Sequence, residues 1–254
     1  MVVAMSLYKT KGIVLRTHKL GEADRIITIL TNNYGKVSAV AKGIRKTKSK
    51  FGSRLEPFTH VDLVLYKGRS LDIVTQAEII NSFSSIRDDL DRITYGSAML
   101  DLVNKVSVEN ERDISLFNLL LKGLDVISQS SRNLRLLLIA FDIKLMAISG
   151  YMPKLDYCAV CKKRAGAKLK LSFEQGGIVC NKCSALDRNS IFVTPAAIET
   201  LSKLMRLPLS DVAELDIMAR IEDELYLLVQ DYVSYYIQTT LKSRECLSQL
   251  IHSH

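Results

Sequence analysis

The stretch Lys36-Val37-Ser38-Ala39-Val40-Ala41-Lys42 decides how the first third of this chain is read. Val37, Ala39 and Ala41 share one face while Lys36, Ser38 and Lys42 share the other, the period-two pattern of a strand with a core side and a solvent side. Similar runs occupy 12–16, 26–31, 61–66 and 71–75. Asn32-Asn33-Tyr34-Gly35 and Lys67-Gly68-Arg69-Ser70 supply turns rich in residues that tolerate positive φ. Five short strands in so little chain predict a small closed barrel, since closure removes exposed edges. An OB-fold fits best, and an SH3-like barrel competes with it.

Past Asn81 the period becomes helical. Phe83, Ile86, Leu90, Ile93, Leu100 and Val103 form one apolar stripe, and Ile114, Phe117, Leu120, Leu124 and Ile127 form a second. Residues 133–149 make a third helix, apolar nearly all round at 136–141, as expected of the centre of a bundle. Gly150 reads as its C-terminal cap, with Pro153 preventing continuation. Thr194-Pro195 reads as an N-cap and first turn, and 217–241 as a last amphipathic helix. Asp88, Asp89 and Asp91 are expected on a solvated helix face, and Tyr226, Tyr232, Tyr235 and Tyr236 as core or interface filling. The fold class is therefore α+β: a five-stranded OB-fold barrel over 1–80, a helical domain over 81–153 and 189–254, and an embedded four-cysteine module over 154–188.

That module carries the most specific chemistry. Cys158-x-x-Cys161 and Cys180-x-x-Cys183 stand 18 residues apart, with 169–173 and 178–179 forming a small hairpin between them. Two thiolates at i and i+3 can reach one ion, and two such pairs complete a tetrahedron around Zn²⁺. Four thiolates close the sphere, leaving no position for a catalytic water, so the expected ion is structural. Two disulfides in an exported domain would be the competing reading. The opening residues are not expected to form a signal peptide, and four cysteines confined to 158–183 look like a metal clip. Cys246 reads as an incidental or buried thiol, and the expected compartment is the reducing cytoplasm.

Charge is distributed unevenly. The net charge is +8, and residues 1–80 alone carry 14 Lys and Arg against 6 Asp and Glu. Between Lys36 and Arg54 stand seven basic residues, Lys36, Lys42, Arg45, Lys46, Lys48, Lys50 and Arg54, and no acidic one. On an OB-fold this run lies on strand three and the loop after it, beside the usual nucleic-acid face. A flexible basic loop there, with Tyr34 and Phe51 for stacking and Arg16 and Arg25 extending the path, would track phosphates with little sequence preference. A merely solvated loop and an anionic-membrane patch are the alternatives. No G-x-x-x-x-G-K-[ST] loop occurs, and none of the four histidines, at 18, 60, 252 and 254, has ligand or nucleophile spacing to a cysteine. The apolar run at 136–141 is far too short to span a membrane. The chain is expected to be a binding protein without enzymatic activity and without a membrane.

Gly12-Ile-Val-Leu-Arg16, Gly21-Glu-Ala-Asp-Arg25, Tyr34-Gly-Lys-Val37, Ala41-Lys-Gly43, Leu55-Glu-Pro-Phe58, Gly150-Tyr-Met-Pro153 and Leu155-Asp-Tyr-Cys-Ala-Val-Cys161 recur in one order. In this the chain resembles the bacterial RecO recombination mediators along nearly its whole length, in the branch that bears the four-cysteine zinc module. The resemblance implies an OB-fold, a helical domain and a zinc module. It also implies binding of single- and double-stranded DNA without sequence specificity, and annealing of complementary strands. It further implies action with RecR in loading RecA onto strands coated by single-stranded DNA-binding protein, whose C-terminal tail is a partner. Arg132 and Arg135, ahead of the apolar helix, are the candidate tail contacts, and Lys162, Lys163, Arg164, Lys168 and Lys170 a second positive surface. An RNA- or transcription-associated protein of OB and zinc-ribbon type is the alternative.

Overall fold

The structure, a computed structural model, describes residues 6–47, 49–164, 166, 169–187 and 189–238. Lys48, Lys168, Cys246, His252 and His254 lie outside the described residues. The chain divides into two compact units, the first ending at Gln129 and the second beginning at Ser130.

The first unit holds the barrel. Strands β1 (Leu7–Leu20), β2 (Asp24–Thr31), β3 (Gly35–Ala41), β4 (His60–Tyr66) and β5 (Asp72–Asn81) close in the order β1-β2-β3-β5-β4, with β4 pairing back onto β1. The β3–β5 pairing is parallel and spans two residue pairs, Ala39 with Asp72 and Val40 with Ile73. This Greek-key closure is that of an OB-fold, which decides against the SH3-like alternative. β1 outruns the expected 12–16 because a bulge between Val14 and Arg16 bends it, letting one strand serve β2 and β4 in turn. In β3 the expected alternation holds, with Val37, Ala39 and Ala41 buried beside Ile27, Ile29, Val61 and Leu63.

Helices α1 (Ser84–Arg87), α2 (Leu90–Val106) and α3 (Ile114–Gln129) belong to this same unit. The periodicity alone places 81–153 wholly in the helical domain. Packing explains the difference: Gly96 of α2 sits against the Phe58 ring, and Phe117 of α3 meets His60 edge-on at 5.9 Å. The stripe from Phe83 to Val103 is also two helices rather than one. Asp89, expected on a solvated face, is extended and caps α2, its side chain accepting from the Arg92 N–H at 2.9 Å. The reset of phase leaves Leu90 71% exposed rather than in the core. The connection between α2 and α3 fills the gap where β3 and β5 diverge: Glu109 bridges to Lys36, and the Asn110 N–H donates to the Lys36 carbonyl at 2.9 Å.

The second unit is built on α4 (Leu134–Ile148), buried from Leu136 to Ile143 and packed by α5 (Pro195–Arg206), α6 (Leu209–Val212) and α7 (Ala219–Ile237). Gly150 takes φ +89, its N–H reaching Ala147 and that of Tyr151 reaching Met146, the paired bonds of a Schellman cap. Thr194 caps α5 through the Ala197 N–H at 3.2 Å. The cysteine module forms a three-stranded sheet of order β7-β6-β8, with β6 Leu169–Ser172, β7 Gly177–Cys180 and an unexpected β8, Ile191–Val193. Aromatic residues pin it to α7: the Tyr236 hydroxyl donates to the Phe173 carbonyl at 2.5 Å and that of Tyr232 to the Tyr151 carbonyl at 2.9 Å. Among the described residues no helix is long and apolar enough to cross a membrane.

Candidate metal centre and basic barrel face

The two cysteine pairs meet. All four sulfurs of Cys158, Cys161, Cys180 and Cys183 lie within 4.8 Å of one another, and Cys161 Sγ stands 3.9 Å from Cys180 Sγ. A tetrahedron with metal–sulfur bonds of about 2.3 Å has edges of about 3.8 Å, so the cluster has the dimensions to hold one ion. The first pair sits on a tight knuckle: Lys162 takes φ +60, and its N–H donates to the Cys158 carbonyl at 3.0 Å. The second pair leaves β7 and enters the 3-10 turn Cys183–Leu186. Ala159 and Val179 pack around the fully buried Cys158, while Cys161 faces solvent.

The thiols are not electrostatically equal. Burial raises the Cys158 thiol, but N–H donors from Cys161, Cys180 and Val160 outweigh it and bring it down to about 6. The Cys183 N–H chiefly lowers Cys180, whereas Cys183 itself is pushed up to about 12, first by the Cys180 side chain. Crowded thiols cannot all shed their protons unless a cation compensates them. Four donors in a tetrahedron answer that need and leave no open position.

The basic residues do not form the single tract that their spacing suggested. The β2–β3 hairpin runs from Thr31 opposite Gly35 to Arg25 opposite Ala41, a length of about 20 Å at some 3.3 Å per residue. Tyr34 and Lys36 stand at one end and Lys42 at the other. Tyr34 packs against Tyr8 with ring centroids 4.6 Å apart, and the Lys36 ammonium donates to the Asn104 carbonyl at 2.8 Å. Burial lowers the Lys36 pKa. Lys36 is thus half-buried, with its ammonium tied to a main-chain carbonyl. Phe51 is 2% exposed and belongs to the barrel core with Ile44 and Leu55, so it has no face to offer a base. These three anchors tie down the segment after β3, which its composition suggests is a flexible loop. Lys50 and Arg54 turn toward β5, Lys50 donating to the Thr75 carbonyl at 3.0 Å and Arg54 standing 3.9 Å from Glu78.

At the far end further cations stand on neighbouring strand ends, with Glu22 in the turn between β1 and β2 and Asp24 at the start of β2. Register places Lys19 of β1 opposite Arg25 of β2, and Arg25 opposite Ala41, next to the exposed Lys42. Arg45 folds back over the β1–β2 turn, its guanidinium donating to the Gly21 carbonyl at 3.1 Å. Arg16 and Lys46 are exposed, and Arg25 pairs with Glu56 at 2.8 Å. The turn at Gly21 sets the register that brings Lys19 opposite Arg25. Like charges gathered across adjacent strands disfavour one another. Glu56 offsets part of that charge at Arg25. In the second unit Arg135 is engaged, 2.6 Å from Asp223 and over the Tyr226 ring at 4.5 Å, while Arg132 is exposed.

Comparison with known proteins agrees with this architecture. The model of the family described as recombination protein O N terminal matches residues 5–83, and that of recombination protein O C terminal matches residues 87–245. A protein of Thermobifida fusca named DNA repair protein RecO is 40% identical over 242 residues, covering 94% of this chain and 97% of its own. One of the same name from Rubrobacter xylanophilus is 41% identical over 211 residues, covering 82% and 85%. Another from Frankia casuarinae is 45% identical over 204 residues, covering 80% and 83%. With matches of this extent across both halves, the chain belongs to the recombination protein O family.

Proposed function

We propose that the protein serves DNA repair and recombination as a mediator that handles strands without consuming nucleotide. The observation that carries this reading is the placement of Lys19, Arg25, Lys42 and Arg45 at one end of an OB-like barrel, on strand ends and a folded-back loop. Such a surface binds the phosphate backbone of single- or double-stranded DNA and takes no part in base readout. Neutralising two backbones together lowers their repulsion and lets complementary bases find each other, so annealing needs no enzyme. On this reading the chain works in the cytoplasm, with RecR, to load RecA onto strands coated by single-stranded DNA-binding protein, and Arg132 with its helix meets that protein's C-terminal tail. Cys158, Cys161, Cys180 and Cys183 hold one Zn²⁺, which supplies folding energy rather than reactivity. Lys162, Lys163, Arg164 and Lys170 add positive charge beside it.

The test is strand annealing by the purified full-length protein without ATP, comparing Lys19→Ala/Lys42→Ala/Arg45→Ala with the parent. Slower annealing and weaker binding of every sequence alike are expected. Unchanged annealing by a folded variant would sink the reading.

A further inference from the structure

The sheet of the cysteine module carries an apolar ring where its pattern calls for a polar side chain. In β8 Val193 is buried, whereas Phe192 points the other way and is 74% exposed, more than any other large apolar side chain among the described residues. Strand alternation puts polar groups at such solvent-facing positions, so packing of the module does not account for the ring. Register shows what accompanies it. Val179 of β7, Lys170 of β6 and Phe192 of β8 are cross-strand partners, so they form one row on one face of the sheet. The Lys170 ammonium lies 4.6 Å from the centre of the Phe192 ring. At the other end of the row Val179 packs against Cys158 and Ala159, which seats the first cysteine knuckle there. That knuckle continues into the exposed Lys162, Lys163 and Arg164. Two strand spacings put the ends of the row on the order of 10 Å apart.

The charge identifies the occupant. From Val160 to Phe173 there are five Lys and Arg and no Asp or Glu. Asp187 is buried and already accepts from the Ser172 hydroxyl at 2.5 Å and the Asn189 N–H at 2.8 Å. The strand is flanked by the polar Asn189, Ser190 and Thr194, whereas a protein-docking patch gathers several apolar side chains in contact. One aromatic face beside cations is what a nucleobase and its phosphate require. Among the described residues β8 is an edge strand, which leaves the ring open from the side. We infer that Phe192 is a stacking platform for an unpaired base of single-stranded DNA, with Lys170 and the knuckle cations holding the flanking phosphates. In a duplex the bases are stacked on one another, so this site selects single strands. The inference rests on the reading of the protein as a DNA binder and adds to it a contact that tells strand from duplex.

The test uses full-length Phe192→Trp, which gives the chain its only indole because the sequence has no tryptophan. The probes are an oligothymidylate of about fifteen residues, within the range such surfaces cover, an abasic oligomer of equal length and a duplex of equal length. Saturable quenching of the indole by oligothymidylate is expected, with little from the abasic oligomer or the duplex even where anisotropy shows them bound. Phe192→Ala should weaken single-strand binding roughly tenfold, the scale of one base–aromatic stack, and leave duplex binding unchanged. Its urea midpoint should match the parent's, because the ring is exposed. If oligothymidylate binds without altering the indole emission, the inference falls and the DNA reading stands. If no oligomer binds, both fall. Equal quenching by the abasic oligomer would mean phosphate attraction without stacking and would overturn the inference. So would an indole blue shift that grows with protein concentration in the absence of DNA, since the ring would then pack on a second copy.

Discussion

Gly35 and Glu111 are in such close apposition that a Cβ on Gly35 would lie 1.9 Å from the Glu111 carbonyl oxygen. Gly35 also takes φ +65, so the position excludes side chains on both conformational and steric grounds. The connection between α2 and α3 can pack on the β2–β3 turn only because this position has no side chain.

Gly35→Ala should therefore cost roughly 2–4 kcal/mol, combining the left-handed backbone penalty with overpacking against main chain. Gly21→Ala is the control: it has φ +60 but nothing within 4 Å, and should cost about 1 kcal/mol. Urea unfolding of both variants measures the difference, and equal costs would mean that the α2–α3 connection does not press on the turn.

Purified protein should contain one zinc per chain. Cys180→Ser should unfold the module from Lys154 to Val193 while the barrel's amide protection persists, since site energies of this kind run about 10–16 kcal/mol in isolated fingers. Elemental analysis and hydrogen exchange check the two halves of this prediction. Metal-free protein with an intact module would refute both.

Lys42→Ala/Arg45→Ala/Lys46→Ala should flatten the log–log salt dependence of single-strand binding by about 2, because each phosphate that is no longer neutralised takes roughly 0.7 from the slope. Lys36→Ala should leave that slope alone and lower stability instead, because its ammonium is committed to the Asn104 carbonyl. Fluorescence anisotropy across a salt series separates the two outcomes.

Burial lowers the His60 pKa in the folded chain, so the unfolded state takes up its proton first as pH falls. The contribution of His60 is therefore full above about pH 6.5 and declines as pH drops from there toward the lower folded-state value. His60→Phe should reduce this loss of stability with acidification, as read by urea midpoints at about pH 7.5, 6.5 and 5.5, a span that brackets the ordinary histidine value. An unaltered pH profile would show that the ring is not desolvated in solution.

Local chemistry made much of this legible in advance. The alternation at Val37, Ala39 and Ala41, the Thr194 cap, the Gly150 terminus and the paired cysteines all rest on groups a few residues apart, whose geometry the chain determines by itself. The tertiary structure decided the rest. Phe51 looked like a stacking ring beside a basic run, but the core took it. Lys36 looked like a phosphate ligand, but its ammonium is bonded 68 residues away at Asn104. Lys19 became part of the cationic end only through its register against Arg25, and His60 became an unpartnered nitrogen only when α3 closed over it. Register and burial depend on which distant segments meet, and that outcome is settled by the total apolar surface removed from water rather than by any local pattern.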